Sequence, residues 1–440
     1  MGAVLEHVSV SGSVIVTLGR CTLAALTLGP LTGCGGAPAS PTPPPPSYSG
    51  SWDTPTLLEG SDKFITGSDL VVDGSGRAFA AWGDEGGLWS SVGLPSTGWG
   101  PRSRLDAAPA GNLRVAVNAS GSGVITFFLD VGRSSGVFAK PFSIGGAVGP
   151  GVRIDAADPR ADFANSYLGA VVDPSGNATV LWVAIGVYAS RLAPGGGWSS
   201  AELLSPGPAA GMSVVEDGQG NVVAAWMEDF QGLSARFHPA GGWSLEPFDA
   251  STDEVARLAA LSVDGLGNAV LAWDRQPIFS STGALWAREG PVVGPSWGPP
   301  SVLVEQGIVT TPSSAATAEG THLLAWQDAT GIAAAILAPG GTWSAPAHLP
   351  VDQIRDGPSV GIDGQGRALV VWTRWNGTRT EVWGDTLVGG VFGLPVKIDS
   401  DGQAEGPVVR VDAQGNGWVI WGEAAPFSRV WANRFRVSSS

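Results

Sequence analysis

Val263-Asp264-Gly265-Leu266-Gly267-Asn268-Ala269-Val270-Leu271-Ala272-Trp273 is the stretch that decides the fold. It reads as the end of one strand, an Asp-x-x-Gly-Asn turn, and an apolar strand that finishes on Trp. Near-copies begin at Asp73, Asn118, Asp173, Asp217, Asp264, Thr317, Asp363 and Asp412. Nine residues after each start comes an aromatic: Trp82, Phe127, Trp182, Trp226, Trp273, Trp326, Trp372 and Trp421. Successive starts lie 45, 55, 44, 47, 53, 46 and 49 residues apart. A period in the forties marks a propeller or a solenoid array.

Each copy predicts four strands. A strand of small residues precedes the turn, as in Leu70-Val71-Val72. The strand after it is continuously apolar, as in Val222-Val223-Ala224-Ala225-Trp226, which predicts burial on both faces. A third segment resembles Leu88-Trp89-Ser90-Ser91-Val92. The fourth opens on Trp99, Trp198, Trp243, Trp297 or Trp343, with Val148 and Phe392 in weaker copies, and runs through Pro. Proline suits an outer strand, which need not donate on its free side. In the turn, Asp caps backbone N–H groups, Gly supplies a positive φ, and Asn is expected to tolerate one.

Four antiparallel strands repeated radially make a β-propeller, an all-β fold. The chain ends point to a closed ring. The eighth copy stops at Phe435-Arg436-Val437 after three strands. The missing fourth lies at the front, Gly50-Ser51-Trp52-Asp53-Thr54-Pro55-Thr56-Leu57-Leu58, and is expected to complete the last blade. Eight copies predict eight blades over residues 50–437; the degenerate second and sixth copies leave seven as the alternative.

Composition agrees. The 440 residues include 65 Gly, 33 Pro and 19 Trp, a mixture that suits many short strands and turns. A formal charge of −15 argues against nucleic acid as a partner, because a basic footprint is expected there. Cys21 and Cys34 both precede the globular body, so no internal disulfide and no Cys-based metal site is expected. His238, His322 and His348 fall in separate repeats without metal-ligand spacing. No cofactor and no metal is expected, and the body is read as a monomer.

Residues 1–33 carry Arg20 followed by an apolar run that is too short and too broken for a membrane span. Leu31-Thr32-Gly33-Cys34 resembles the lipobox of bacterial lipoproteins. The resemblance implies lipidation of Cys34, removal of residues 1–33, and anchoring in the bacterial cell envelope at the outer membrane or cell surface. The alternative is a plain signal peptide with a chance Cys. The Pro-rich segment within 34–49 reads as an extended tether.

The repeat resembles those of the NHL-type and sialidase-like propeller superfamilies. It is not a sialidase Asp-box, since the aromatic follows the Asp by nine residues and Ser262-Val263-Asp264-Gly265 breaks the Ser-x-Asp order. No catalytic residue is implied by the resemblance. Tyr167 and Tyr188 do not make a sialidase-like nucleophile.

Candidate binding residues lie just after the second-strand aromatic, where loops joining strands two and three vary in length. They are Asp84, Asp130, Glu228, Asp229, Asp274, Asp328 and Glu423, expected as a crown of carboxylates at one mouth of the channel. Carboxylates there would bind a hard cation or sugar hydroxyls, or else simply end strands in solvated turns. Arg374 and Trp375 break the crown and, with Arg275 and Arg379, offer an anionic or stacking subsite. The functional expectation is a tethered, non-catalytic scaffold that binds a glycan or protein. The alternatives are a polysaccharide hydrolase or lyase, which would need two carboxylates at a set separation, and a structural envelope component.

Overall fold

The computed structural model describes residues 48–438 except 62, 130–135, 156–166, 250–253, 278–279, 281, 295, 400–401 and 425–427. Cys34, the tether and Asp130 lie outside the described residues. Every regular element described is a strand. The strands form eight antiparallel sheets, one per sequence copy, each a meander running from the ring axis outward. Eight blades, not seven, are present.

Blade 1 shows the pattern. Its strands are Ile65–Val72, Ala78–Asp84, Gly87–Leu94 and an outer strand in two pieces, Gly98–Trp99 and Ser103–Asp106. Both outer pieces pair with Gly87–Leu94, and Pro101 falls in the gap. Blade 7 splits in the same way around Pro395, and blade 8 around Pro55. The missing N–H of Pro explains the interruption.

The ring closes through the amino-terminal strand. Gly50–Trp52 and Thr56–Glu59 both pair with Arg429–Val437, the third strand of blade 8. The Tyr48 hydroxyl donates to the carbonyl of Gly415 in the turn of the same blade. Burial pushes the Tyr48 phenol far above its ordinary pKa.

Second strands are buried on both faces, and alternation explains how. Ala78, Ala80 and Trp82 pack towards blade 8, while Phe79 and Ala81 pack towards blade 2. Eight apolar clusters fill the eight interfaces between neighbouring blades. Each contains the second-strand aromatic of the later blade, from Trp82 through Trp421. These aromatics are at most 2% exposed, so each is a wedge between blades. Each large aromatic buries on the order of 150–250 Å².

The Asp turns are structural. Asp264 Oδ1 accepts the N–H groups of Leu266 (2.9 Å) and Asn268 (2.8 Å). The fourth turn residue is Gly in all eight copies, with φ between 75° at Gly366 and 97° at Gly320. The fifth residue differs from expectation. Asn268 has no positive φ; its side-chain amide donates to Asp264 Oδ2 at 3.0 Å. Arg367 does the same work in blade 7, with Nε 2.6 Å from Asp363 Oδ2. Asn is therefore there as a donor, and Arg replaces it freely.

Candidate functional site

The wedge tryptophans bring an indole N–H into each interface, and a buried N–H needs an acceptor. In two interfaces the outer strand of the preceding blade supplies it. Trp82 Nε1 lies 3.3 Å from Glu59 Oε2, and Trp273 Nε1 lies 2.9 Å from Asp249 Oδ2. Arg102 pairs with Glu59, and Arg275 Nε donates to Asp249 at 3.1 Å. Burial opposes the charge on Glu59, but hydrogen bonds from Ser61, Arg102 and Trp82 hold its carboxyl below the ordinary range.

Exceptions follow the same rule. Blade 2 has Phe127, which has no donor, and Asp106 on the preceding outer strand takes Lys140 Nζ at 3.0 Å instead. The outer strands before Trp326 and Trp372 end on Gly307 and Pro350, and both indole N–H groups are buried without a partner. The signal for these clasps was an apolar–acidic pair closing the fourth strand, Leu58-Glu59 and Phe248-Asp249; the same pattern recurs at Leu105-Asp106, Ile154-Asp155 and Ile398-Asp399, where Asp106 pairs with Lys140 and Asp155 with Arg153.

The expected crown is drawn partly into strands. Several of its members sit within the second strands rather than in loops, because those strands run on past the aromatic. Asp84 ends Ala78–Asp84, Glu228 ends Val222–Glu228, and Asp274 is paired within Asn268–Pro277. Each acid turns to local work. Asp84 is 1% exposed and accepts Gly86 N–H at 2.5 Å. Glu228 binds the Ser205 hydroxyl and Trp226 Nε1, the latter at 3.4 Å. Asp274 is buried, and Glu423 accepts Trp431 Nε1 at 2.9 Å. Asp328 caps the N–H groups of Thr330 and Gly331 and faces His348 at 3.1 Å. Asp229 and Phe230, with φ of 47° and 67°, form a tight hairpin turn with Asp229 exposed. Among the described residues no three His, Cys, Asp or Glu side chains gather to hold a metal.

Arg374 and Trp375 are brought into a cluster. They end the second strand of blade 7, Arg367–Trp375. The segment 351–358, which links blade 6 to blade 7, zips alongside that end. Trp375 N–H donates to Gln353 O (2.8 Å), Arg355 N–H to Thr373 O (3.0 Å), and Thr373 N–H to Asp356 O (3.2 Å). Asp356 Oδ2 then accepts the Thr373 hydroxyl and Gly406 N–H, both at 2.9 Å. Backbone bonds thus hold a half-buried Trp375 ring beneath the exposed Arg355, whose guanidinium carbon is 5.5 Å from the ring centre. Arg374 pairs with Asp352 at 2.5 Å. Burial and the Asp356 charge push Glu405, beside this segment, above its ordinary pKa.

Beside Arg374 lies an ionic network. Glu381 is the cross-strand partner of Arg374, and Lys397 lies 3.4 Å from Glu381 and 3.5 Å from Asp399. Burial penalises the Glu381 charge, but hydrogen bonds from Asn376 and Trp383, together with Lys397, lower its pKa overall. Burial pushes Asp399 up to about 6 against the pull of Lys397. The Glu381 and Asp399 side chains are only 10% and 1% exposed, so the network is largely withdrawn from solvent. Arg379 belongs to the same network, 3.4 Å from Glu381, whereas Arg275 is committed to Asp249 in blade 5.

The structure is an eight-bladed β-propeller with an aromatic–arginine pair, Trp375 and Arg355, on the face of its two–three loops. No family model matches the chain, and no curated protein does. Among solved structures it is similar to the BP39L lectin of Burkholderia pseudomallei, at 12% identity and a TM-score of 0.56, over 78% of this chain and 100% of the lectin. It is also similar to AofleA of Arthrobotrys oligospora (12% identity, TM-score 0.43, 80% and 90% of the two chains). A third likeness is to an ulvan lyase (7%, 0.47, 86% and 93%). At 12% identity the likeness to the lectin is one of fold.

Proposed function

We propose that the chain is a non-catalytic saccharide-binding propeller that takes its ligand at the Trp375–Arg355 pair of blade 7. The observation that carries this reading is the half-buried Trp375 ring. It is held by backbone hydrogen bonds, with Arg355 above it and the Arg374–Asp352 pair beside it. An indole face accepts the C–H face of a sugar, and the flanking guanidinium and carboxylate groups bond its hydroxyls. Rigid placement keeps the entropic cost of binding low. The lectin BP39L uses a propeller of similar fold, which supports the reading at the level of fold.

The Cys34 lipidation and envelope location implied by the lipobox-like Leu31-Thr32-Gly33-Cys34 remain part of this proposal. Several acyl chains would make anchoring durable, at about 0.8 kcal/mol per buried methylene. The tether would then hold the propeller off the membrane with this site free. A glycan array probed with residues 45–440, which form one compact unit, tests the binding. Wild type is expected to bind a subset of glycans and Trp375→Ala none of them. Retained binding by the variant sinks the assignment.

A further inference from the structure

The opposite face, where the Asp turns and the three–four loops lie, carries a second hollow between blades 2 and 3. It has a volume of about 400 Å³. Pro141, Phe142 and Pro150 wall it from blade 2, and Leu192, Pro194 and Trp198 from blade 3. Trp198 is half-buried and bridges to Leu192 across its own blade.

The register around the ring shows what borders this groove. Six residues into each repeat, the second strand faces a fixed position on the third. That position is Arg191 in blade 3, opposite Thr179, Arg236 in blade 4, opposite Val223, and Arg434 in blade 8, opposite Trp418. Each arginine reaches into the next groove. Arg191 lies 3.7 Å from the Phe237 ring centre of blade 4, and Arg236 lies 4.5 Å from the Trp297 ring of blade 5. Arg434 Nη1 donates to Pro95 O of blade 1 at 2.5 Å. Blades 1, 5, 6 and 7 carry Val92, Glu289, Ile336 and Thr386 there, and in blade 2 the position is Pro141, opposite Val124. Proline is too short to cross, so the space the arm would fill stays open to solvent.

We propose that this hollow is a binding site for a small, uncharged aromatic ring. No charged side chain lines it, so a charged ligand would lose its hydration without compensation. The walls are rings and aliphatic groups, which suit a flat apolar face packed on Trp198. The rim is Gly195-Gly196-Gly197 with Ser122, which leaves backbone and hydroxyl groups at the mouth for one polar edge. The volume falls within the range of small-molecule sites.

Indole, titrated into residues 45–440 by calorimetry at neutral pH, is the probe. It is expected to bind, and Pro141→Arg, which restores the arm of blades 3 and 4, is expected to weaken binding at least tenfold. Trp198→Leu, which keeps an apolar wall without the indole face, is expected to weaken it as well. Trp375→Ala is expected to bind indole as wild type does, which separates this site from the saccharide site. Indole-3-acetate is expected to bind at least tenfold more weakly than indole. The proposal is overturned if indole does not bind, if Pro141→Arg with an unchanged melting curve binds it normally, or if methyl glucoside displaces it.

Discussion

Removing the carboxylate of Asp249 tests the interface clasp. Asp249 is 3% exposed and accepts Trp273 Nε1 at 2.9 Å and Arg275 Nε at 3.1 Å. Asp249→Ala strips the indole N–H of this acceptor in a fully buried interface, at a cost of about 1–3 kcal/mol. Losing the charge partner of a mostly buried arginine adds to this, and about 3–4 kcal/mol is expected in total. The indole share is isolated by a double-mutant cycle with Trp273→Phe. Blade 2 already carries that aromatic as Phe127, with its outer acid Asp106 redirected to Lys140. The cycle, measured by equilibrium denaturation, is expected to give a coupling of about 1–2 kcal/mol. The same pair of changes at Trp326, where the preceding strand ends on Gly307 and the N–H is unpartnered, has no acid to couple to. A coupling at Trp273 within error of zero refutes the clasp.

Three further outcomes are expected. Deleting residues 1–59 removes the outer strand of blade 8 along with Leu58 and Glu59, which pack against and bond the blade 1–8 interface; the shortened chain should lose its cooperative melt. Asp385, pushed up to about 6 by burial, is raised above its unfolded value near 4. Its contribution is therefore intact below about pH 4 and is lost as pH rises through about 6. Asp385→Asn should be more stable than wild type above pH 6 by about 1–2 kcal/mol, roughly half of the full two-unit linkage, and equal to it near pH 4. Metabolic labelling with palmitate in a bacterial host should mark wild type and leave Cys34→Ala unlabelled; labelling of the variant would remove the lipid anchor from the account.

Much of the fold was legible because wedge and turn repeat at a fixed nine-residue offset, and because Gly50 to Leu58 is a recognisable outer strand displaced to the front. The site was legible only in part. Asp84, Glu228 and Asp274 looked like loop acids because a strand end is not marked in sequence when a polar residue simply continues the ladder. Glu59 and Asp249 were hidden as ordinary strand-closing residues, and only the indole facing each from the next blade gives them a role. Arg374 and Trp375 stood out because they interrupt an acidic pattern. What assembles their site is segment 351–358, whose backbone pairing has no sequence signature. The arm missing at Pro141 becomes visible only after cross-strand register aligns it with Arg191 and Arg236.

The central claim is that the site around Trp375 holds a saccharide. Its most direct test is calorimetric titration of the best array glycan into residues 45–440, compared with Trp375→Ala and Arg355→Ala. The account predicts saturable binding by wild type, loss on removal of the ring, and at least tenfold weakening without the guanidinium. Equal affinity in all three proteins, or cleavage of the glycan during the titration, would contradict it.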